Sequence, residues 1–347
     1  VTRHWSLAAL LLTGAPLAAQ TPQRFAGVRT FIERQIVERG LPSVGIAVAK
    51  EGKIIWEEGF GWADRERMIP ATAHTPYSLA SISKPVTATG LMRLVEEGRI
   101  ALDRPANDYL GGAKLSGLAA EASLATMRRV ASHTAGLPLH YEFFYEGLSY
   151  RERSMDEAIA RYAIMVIPPG RAWLYSNLGY GVIDEIIGRV SGMAYGDYMR
   201  AHVFVPLGMT RTSVHLTPEL KPYAAVRYDA RHRPIPYYDF DHDGGSAVYA
   251  SPHDLVRFGL FHLKNHLPDQ RAILADSTIE AMQRPQTPEG SEPAYGLGWL
   301  VYTNDRGFLN ISHIFFIPLL QFHIYKRLAT FPVHSLRNAS LVAHNGF

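Results

Sequence analysis

A serine and a lysine three residues apart open a helical stretch near residue 81. The stretch SLASISKPVTATGLMRLVEEG covers residues 78–98 and contains Ser81 and Lys84. Because positions i and i+3 lie on one helix face, the Lys84 amine can reach the Ser81 hydroxyl. A lysine that loses its charge in a desolvated pocket can act as the base that activates a serine. The pair predicts nucleophilic catalysis, and the alternative is a helix-capping serine beside a solvated lysine.

A second group with possible chemistry is Tyr175-Ser176-Asn177, directly before another helical pattern. A phenol near a cationic lysine is predicted to have a lowered pKa and could relay a proton to a leaving group. The Asn177 amide can hold both the lysine and a substrate carbonyl. A rival Tyr-x-Asn occurs at Tyr302-Thr303-Asn304, but it lies in a strand-like run, and we favour Tyr175.

The elements that must position these residues differ along the chain. Helical spacing of apolar residues covers 25–39, and two strand-like runs, SVGIAVAK and KIIWEEGFGWAD, follow through a turn at Glu51-Gly52. Helical patterns dominate from about 81 to 210, and Ser251-Pro252 begins another helix. Strand character returns at YGLGWLVY near 295. The pattern predicts α/β plus α: an antiparallel sheet built from both chain ends and flanked by helices, with an inserted helical region and the site at the seam.

Composition excludes several classes of protein. The 347 residues are 47% hydrophobic, enough for a sizeable core, and the net charge is +3. Lysine and arginine form no run, so we expect no nucleic-acid partner. The absence of cysteine excludes disulfides, cysteine-zinc sites and thiol catalysis.

The first residues are typical of a secretory signal. Arg3 and His4 precede an apolar stretch, and small residues end at Ala18-Ala19, so we expect a signal peptide over 1–19 and a periplasmic or secreted protein. An amphipathic first helix is the alternative. Neither this segment nor 314–325 reaches the roughly 20 apolar residues of a membrane span.

Longer stretches carry a resemblance to a known family. They include the Ser81 stretch continued to RIALDRPANDYL, then ASHTAGLP, PPGRAWLYSNLGYGVIDEIIGRVSG, FVPLGMTRTS, GGSAVYASPHDLVRFG and YGLGWLVY. In this order they resemble the serine β-lactamase and penicillin-binding-protein superfamily, specifically its class C β-lactamase-like group of esterases, D-aminopeptidases and related hydrolases. The resemblance covers about residues 25–305 and implies a β-lactamase/transpeptidase-like fold.

The resemblance also implies roles and boundaries. Ser81 would be the acylated nucleophile, Lys84 its base, Tyr175 the proton relay and Asn177 a positioning group. The hydrolase domain would span 20–313, with its sheet region from 25–77 and 245–313 and its helical region from 78–244. We expect no cofactor, no metal, and a small-molecule or peptide substrate; the oligomeric state stays open.

The family's third motif, His-x-Gly or Lys-Thr-Gly on a strand edging the site, departs from pattern here. Its position after GLGW points to His313, which Ile-Phe-Phe follows instead of x-Gly. A His-x-Gly does occur at His344 and Gly346, near the end of the sequence. We assign substrate positioning to His344 and Gly346, with His313 as the rival.

The tail over 314–347 has an unusual composition, with no aspartate or glutamate in 34 residues. We favour a change of reading frame just after His313 over an insertion before a genuine strand that carries His344. Under either explanation we expect a C-terminally incomplete fold, lacking the final strands and C-terminal helix that the family packs on its first helix. We expect no tail strand beside Ser81, an exposed apolar stripe on helix 25–39, and weak stability and activity.

Two weaker signals have modest interpretations. DFDHDG at 239–244 copies the start of an EF-hand loop, but its twelfth position is Ala250 rather than glutamate, so we interpret it as a solvated loop near the site. His133, in SHTAGLP, is interpreted as a hydrogen-bonded turn residue rather than a catalyst.

Two functions remain from different classes. The first is an exported serine hydrolase that acts by acylation and deacylation on a β-lactam, a D-amino peptide or a small ester. The aromatic residues of LHYEFFYEGLSY favour an apolar acyl or aryl group in such an ester. The second is a non-hydrolytic or defective family member that keeps the fold as a binding protein.

Overall fold

A computed structural model of the chain describes residues 23–117, 122–149, 151, 153–303, 308–314, 321–327 and 338–344. The expected signal peptide over 1–19 and the expected positioning residue Gly346 lie outside the described residues. None of the helices in the described ranges has the length and hydropathy that a membrane span requires.

Within the described residues, the strands form one large sheet and four small ones. The large sheet has the order β13-β14-β15-β16-β1-β2-β3, and its neighbouring strands pair antiparallel. The strands are β1 (Ser43–Lys50), β2 (Lys53–Asp64), β3 (Ile69–Pro70), β4 (Tyr77–Ser78), β5 (Ser116–Gly117), β6 (Phe143–Tyr145), β7 (Ile164–Met165), β8 (Ser213–Val214), β9 (Arg227–Tyr228), β10 (Pro234–Ile235), β11 (Tyr238–Phe240), β12 (Val248–Ala250), β13 (Leu300–Thr303), β14 (Phe308–Ile314), β15 (Gln321–Arg327) and β16 (Asn338–His344).

The helices lie mostly between the two groups of sheet strands, as the sequence predicts. They are α1 (Ala26–Arg39), α2 (Ser83–Glu96), α3 (Met127–Ala131), α4 (Met155–Tyr162), α5 (Asn177–Ser191), α6 (Tyr195–Met199), α7 (Asp243–Ser246), α8 (Pro252–His262) and α9 (Asp276–Met282). Helices α2, α5 and α7 contact one another and carry the candidate site. The predicted sheet from both chain ends with a helical insertion is confirmed.

The β1–β2 hairpin has the bounds that the sequence predicts. Its two turn residues, Glu51 and Gly52, have φ of 52° and 74°, the left-handed backbone that favours tight two-residue hairpins. Along β1, side chains alternate between the two faces of the sheet. Val44 and Ile46 pack with Ile32 of α1, whereas Ala47 and Ala49 belong to the main core.

Small residues on the second face let α8 approach the sheet closely. A Cβ on Gly45 would lie 2.6 Å from Cγ of Pro252, the first residue of α8. Ser251 caps this helix by accepting a hydrogen bond from the Asp254 N–H at 3.1 Å, as Ser-Pro at a helix start predicts. The sheet is thus covered by α1 on one face and α8 on the other.

The tail contributes two strands to the large sheet. Strands β15 and β16 lie between β14 and β1, and β14 is the strand that contacts the turn carrying Ser81. On α1, the side chains of Val28, Phe31 and Val37 remain 44%, 52% and 81% exposed. The expected exposed stripe on this helix is therefore present.

Candidate active site

Ser81 lies on a short 3-10 turn, Ala80–Ile82, that leads into α2. The turn is anchored to β12, because the Leu79 N–H donates to the Val248 carbonyl at 2.8 Å. Ala80 has a φ of 46°, in the left-handed region that residues other than glycine adopt rarely. The helix N-cap is Ile82. The capping interpretation of Ser81 is therefore wrong.

The Lys84 amine is fully buried and has three polar neighbours. Its Nζ lies 3.2 Å from Ser81 Oγ, 2.8 Å from Asn177 Oδ1 and 2.9 Å from the Gly245 carbonyl oxygen. The alternative of a solvated lysine is therefore wrong. The amine also lies 4.7 Å from the centre of the Tyr175 ring.

Burial holds the pKa of Lys84 well below its usual value, because water no longer stabilises the charged form. A neutral amine has two N–H donors and one lone pair. The Asn177 oxygen and the Gly245 carbonyl can only accept hydrogen bonds, so they take the two donors. The lone pair of the neutral amine can then accept a hydrogen bond from the Ser81 hydroxyl, which is the arrangement that a general base needs.

The Tyr175 hydroxyl donates a hydrogen bond to Ser81 Oγ at 2.7 Å. The predicted convergence of Ser81, Lys84 and Tyr175 is therefore present. The predicted lowering of the Tyr175 pKa is wrong, because burial raises the pKa of this phenol and outweighs its hydrogen bond to Ser81. Tyr175 is a neutral phenol over the ordinary pH range. The rival Tyr302 lies on β13, is 44% exposed and is hydrogen-bonded with Asn310.

Local contacts fix Asn177 at the first turn of α5. Ser176 is the N-cap, and its side chain accepts a hydrogen bond from the Gly179 N–H at 2.9 Å. The same hydroxyl donates to the Pro138 carbonyl at 2.6 Å, and the Asn177 N–H donates to the Leu139 carbonyl at 2.9 Å. The loop at 138–139 thus holds Tyr175 and Asn177 in place.

His133 lies behind Tyr175 rather than against Ser81. Its Nδ1 accepts a hydrogen bond from the Ser176 N–H at 3.1 Å. Its backbone N–H donates to the Val130 carbonyl, and its backbone carbonyl accepts from the Leu174 N–H. Its ring packs 4.5 Å from the Tyr175 ring. The interpretation of His133 as a hydrogen-bonded turn residue is confirmed.

Gly245 is the site residue that sequence reasoning missed, because it acts through its backbone carbonyl. The GGSAVYASPHD stretch, which resembles the family, was the available signal. A Cβ at Gly245 would lie 2.7 Å from His242 Cδ2 and 3.2 Å from the Asn177 carbonyl. Only glycine fits here without displacing one of them.

The DFDHDG segment that precedes Gly245 is not a solvated loop. Asp241 and His242 are buried, and Asp241 bonds His140 at 2.5 Å and His242 at 2.7 Å. His215 bonds Asp239 at 3.0 Å and Asp243 at 2.8 Å. The acidic side chains are therefore held by histidines, and the segment supports the Gly245 carbonyl. The sequence missed this because two of the histidine partners, His140 and His215, are distant along the chain.

The strand at the Ser81 turn is β14, and it brings His313 there. His313 is buried, and its Nδ1 lies 3.1 Å from the Gly298 carbonyl, to which it donates, and 3.3 Å from the Tyr295 hydroxyl. Burial lowers the pKa of His313 to about 3, so the ring is neutral.

His344 lies elsewhere in the sheet. It is on β16, where its backbone is opposite Val44 of β1, and β15 separates it from β14. The expected placement of His344 at the Ser81 edge is therefore wrong. Strand order, which depends on long-range pairing, favours the rival His313.

The chain is similar in sequence to known proteins. The family model described as Beta-lactamase matches residues 28–346. Penicillin-binding protein 4* of Bacillus subtilis (strain 168) is 26% identical over 300 residues, which cover 77% of this chain and 61% of that protein. Esterase EstB of Burkholderia gladioli is 26% identical over 332 residues, which cover 84% of this chain and 81% of that protein. The chain thus spans less than two thirds of the first of these relatives.

A solved structure supports the fold. The octameric penicillin-binding protein homologue from Pyrococcus abyssi superposes with a TM-score of 0.73 at 25% identity, and covers 92% of this chain and 73% of that one. The fold class expected from the resemblance is confirmed.

Proposed function

The chain belongs to the beta-lactamase family, and from this premise we propose that it is a serine hydrolase that is acylated on Ser81 by an amide or ester. One observation carries the proposal. A fully buried lysine amine lies 3.2 Å from the Ser81 hydroxyl, and burial lowers its pKa. A charged lysine could not accept a proton, whereas a neutral one can.

In the acylation step, Lys84 Nζ accepts the proton of Ser81 Oγ while the oxygen attacks the carbonyl carbon of the substrate. The carbonyl double bond opens to give a tetrahedral oxyanion. When the carbonyl re-forms, the bond to the leaving nitrogen or oxygen breaks. The products of this step are an ester on Ser81 and a leaving group that needs one proton.

The proton for the leaving group comes from the Tyr175 phenol, which lies 2.7 Å from Ser81 Oγ. The ammonium of Lys84 then passes its proton to the Tyr175 phenolate, so both groups recover their first states. In deacylation a water molecule loses a proton to Lys84 and attacks the ester carbonyl. When the carbonyl re-forms, the bond to the Ser81 oxygen breaks, the carboxylic acid product is released, and the Lys84 ammonium returns its proton to the Ser81 oxygen. Asn177 and the Gly245 carbonyl hold Lys84 throughout.

Two loops beside the site, the first containing β6 and the second containing β11, favour an apolar acyl or aryl group in the substrate. Strand β6 in the first loop pairs with β11 in the second. Phe143 packs 5.0 Å from Tyr238, and Leu139 and Tyr141 are 47% and 55% exposed. Because Leu139 bonds Asn177, these exposed groups lie next to the site. Small esters suit this surface, and β-lactams and D-amino peptides are the competing substrates.

We also propose that the protein is exported to the periplasm or beyond, on the basis of the signal-like first 19 residues. Secretion of the full chain with cleavage after Ala19, detected by N-terminal sequencing, is the expected result. Retention of an uncleaved chain in the cytoplasm would contradict it.

The function is tested by intact-protein mass spectrometry after exposure to a fluorescent penicillin and, separately, to an activated aryl ester. We expect one acyl adduct on Ser81, absent in Ser81→Ala. Lys84→Ala should form almost no adduct, because Ser81 and Lys84 act as one catalytic unit.

Ser191→Ala is the matched control, because Ser191 ends α5 and its hydroxyl makes local contacts, donating to the Gly188 carbonyl and accepting from the Met193 N–H. It should be acylated like the unchanged protein. A folded protein that neither probe acylates would support the binding-protein alternative. Adducts that persist in Ser81→Ala would refute Ser81 as nucleophile.

A further inference from the structure

A second cluster of chemically active side chains lies away from Ser81. Glu57 of β2, His74 of the segment between β3 and β4, and His253 of α8 each have one potential ligand atom close to those of the other two. We call these three residues the β2–α8 cluster. In the sheet, β2 is four strands from β14, or roughly 19 Å at about 4.8 Å per strand. The cluster is therefore separate from the active site.

The donor atoms of the β2–α8 cluster are close together. Nδ1 of His253 lies 2.8 Å from Oε2 of Glu57, and the rings of His74 and His253 have their centres 4.6 Å apart. The three donor atoms, one from each residue, all lie within 4.8 Å of one another. Ligands of a tetrahedral zinc ion, each about 2.0–2.1 Å from the metal, are about 3.3 Å apart. The Glu57–His253 separation of 2.8 Å is somewhat shorter than this value, and the other two separations are at most 4.8 Å.

Backbone contacts hold the three segments together without the side chains of the cluster. The His253 N–H donates to the Ala73 carbonyl at 3.0 Å, which joins α8 to the residue before His74. The His74 N–H donates to Thr72 Oγ1 at 3.1 Å. The close approach of α8 to Gly45 brings His253 over the sheet toward β2. The donor set is therefore arranged by the fold.

An ion can reach the cluster from solvent. The side chains of Glu57 and His253 are 30% and 23% exposed, and His74 is exposed. Two imidazoles with one carboxylate are a common ligand set for zinc and related first-row metals, whereas magnesium and calcium prefer oxygen ligands.

We propose that the β2–α8 cluster binds a divalent transition-metal ion of the zinc class. The ion takes the place of the proton between His253 Nδ1 and Glu57 Oε2, and a rotation of the exposed His74 ring supplies the third ligand. Water fills the fourth position. The ion ties β2, the segment before β4 and the start of α8 together, so it stabilises this face of the sheet.

The competing explanation is an ion pair between Glu57 and His253, against which the His74 ring only packs. The variant His74→Phe separates the two explanations. It keeps an aromatic ring and the pair of Glu57 with His253, but it removes a metal ligand. His232→Phe is the matched control, because His232 is exposed and contacts Arg65 outside the cluster.

The test is calorimetric titration of chelator-treated, dialysed protein with zinc chloride, with thermal melting in parallel. We expect one tight equivalent in the unchanged chain and in His232→Phe, together with a rise in Tm on adding zinc. His74→Phe and Glu57→Gln should bind this equivalent at least about 100-fold more weakly, since losing even a supporting partner costs about 10–100-fold. Magnesium chloride should give neither effect.

Cobalt chloride gives an independent readout, because a tetrahedral site produces strong visible absorption bands that His74→Phe should lack. If the unchanged protein and His74→Phe bind zinc equally, or if neither binds a tight equivalent, the proposal is overturned. Circular dichroism of each variant shows that the comparison is made between folded proteins.

Discussion

Asn177 Oδ1 lies 2.8 Å from Lys84 Nζ and joins the first turn of α5 to the first turn of α2. An amide at this position can hold the amine without raising its pKa as a carboxylate would. Since burial alone lowers the pKa of Lys84, the neutrality of its partners is part of the proposed chemistry. This contact leads to the first prediction.

Asn177→Asp should shift the pH dependence of acylation upward. An opposite charge within about 4–6 Å typically moves a pKa by about 1–3 units, here raising that of Lys84. The base is then neutral only at higher pH, so the alkaline-rising limb of the acylation rate moves up by a similar amount. Acylation rates with an activated ester, measured from about pH 6 to about pH 10, give the position of this limb.

Asn177→Ala serves as the control for this shift, because it removes the amide without adding charge. It should slow acylation with a much smaller displacement of the limb. An identical limb in Asn177→Asp and the unchanged protein would contradict the assignment of Lys84 as base.

Lys84→Met should make the protein inactive but more stable near neutral pH. The folded-state pKa of Lys84 lies below its unfolded value, so between these two values the unfolded chain binds a proton that the folded chain does not. Stability therefore rises with pH across this window, with a slope of about 1.4 kcal/mol per pH unit. Methionine fills the space without this proton linkage.

The measurement is the Tm of Lys84→Met minus that of the unchanged protein, at neutral pH and again close to the ordinary lysine pKa. We expect a positive difference that becomes smaller at the higher pH. Groups other than Lys84 titrate alike in both proteins, so their contributions cancel in the Tm difference. A difference that is constant with pH would show that Lys84 is protonated in the folded protein.

Tyr175→Phe should slow amide substrates more than activated esters. The substitution removes the hydroxyl 2.7 Å from Ser81 Oγ but keeps the ring that packs on His133. A poor leaving group needs a proton in the transition state, and general acids contribute about 10²–10⁴-fold. The aryl oxide of an activated ester leaves without such a proton. The ratio of kcat/KM for a matched p-nitroanilide and p-nitrophenyl ester is the measurement.

Tyr302→Phe is the matched control for this prediction, because Tyr302 is the rival tyrosine and is exposed on β13. It should leave the amide-to-ester ratio unchanged. Equal loss on both substrates in Tyr175→Phe would indicate that the phenol only positions Ser81.

His313→Leu should impair the hydrolase, whereas His344→Leu should not. His313 lies on the strand that contacts the Ser81 turn, and its Nδ1–H donates to the Gly298 carbonyl, so its loss leaves a buried acceptor unpaired and should shift that strand beside Ser81. The pKa of His313 is about 3, so its ring is neutral above that pH and gives no limb near neutrality. Steady-state kinetics of both variants decide between them. A large loss in His344→Leu alone would restore the assignment of His344.

The sequence predicted the parts of the site that depend on short spacing. Ser81 and Lys84 are three residues apart, so local helical geometry brings them together. The Gly245 carbonyl left no side-chain signature, and the choice between His313 and His344 depended on which strands pair. The Tyr175 pKa was wrongly predicted because a charge partner is visible in a sequence but the depth of burial is not.

The same limit applies to Gly298, whose importance depends on how closely the segment just before β13 approaches α2. Its φ is 86°, and a Cβ there would lie 2.9 Å from both Ala88 Cβ and Pro85 Cα. Gly290 has a φ of 78° with nothing within 4 Å of a Cβ. Both Gly→Ala variants meet the left-handed backbone penalty of about 1–2 kcal/mol. Only Gly298→Ala adds overpacking, which typically costs about 1–3 kcal/mol.

Gly298→Ala should therefore have a lower free energy of unfolding than Gly290→Ala, by roughly the overpacking cost of about 1–3 kcal/mol. Urea unfolding of both variants gives this difference, with the backbone penalty cancelled. Because the clash pushes on Pro85 and Ala88 in the helix that carries Lys84, Gly298→Ala should also slow acylation at a temperature where it is fully folded. Equal stabilities of the two variants would mean that this segment does not pack against α2 as described.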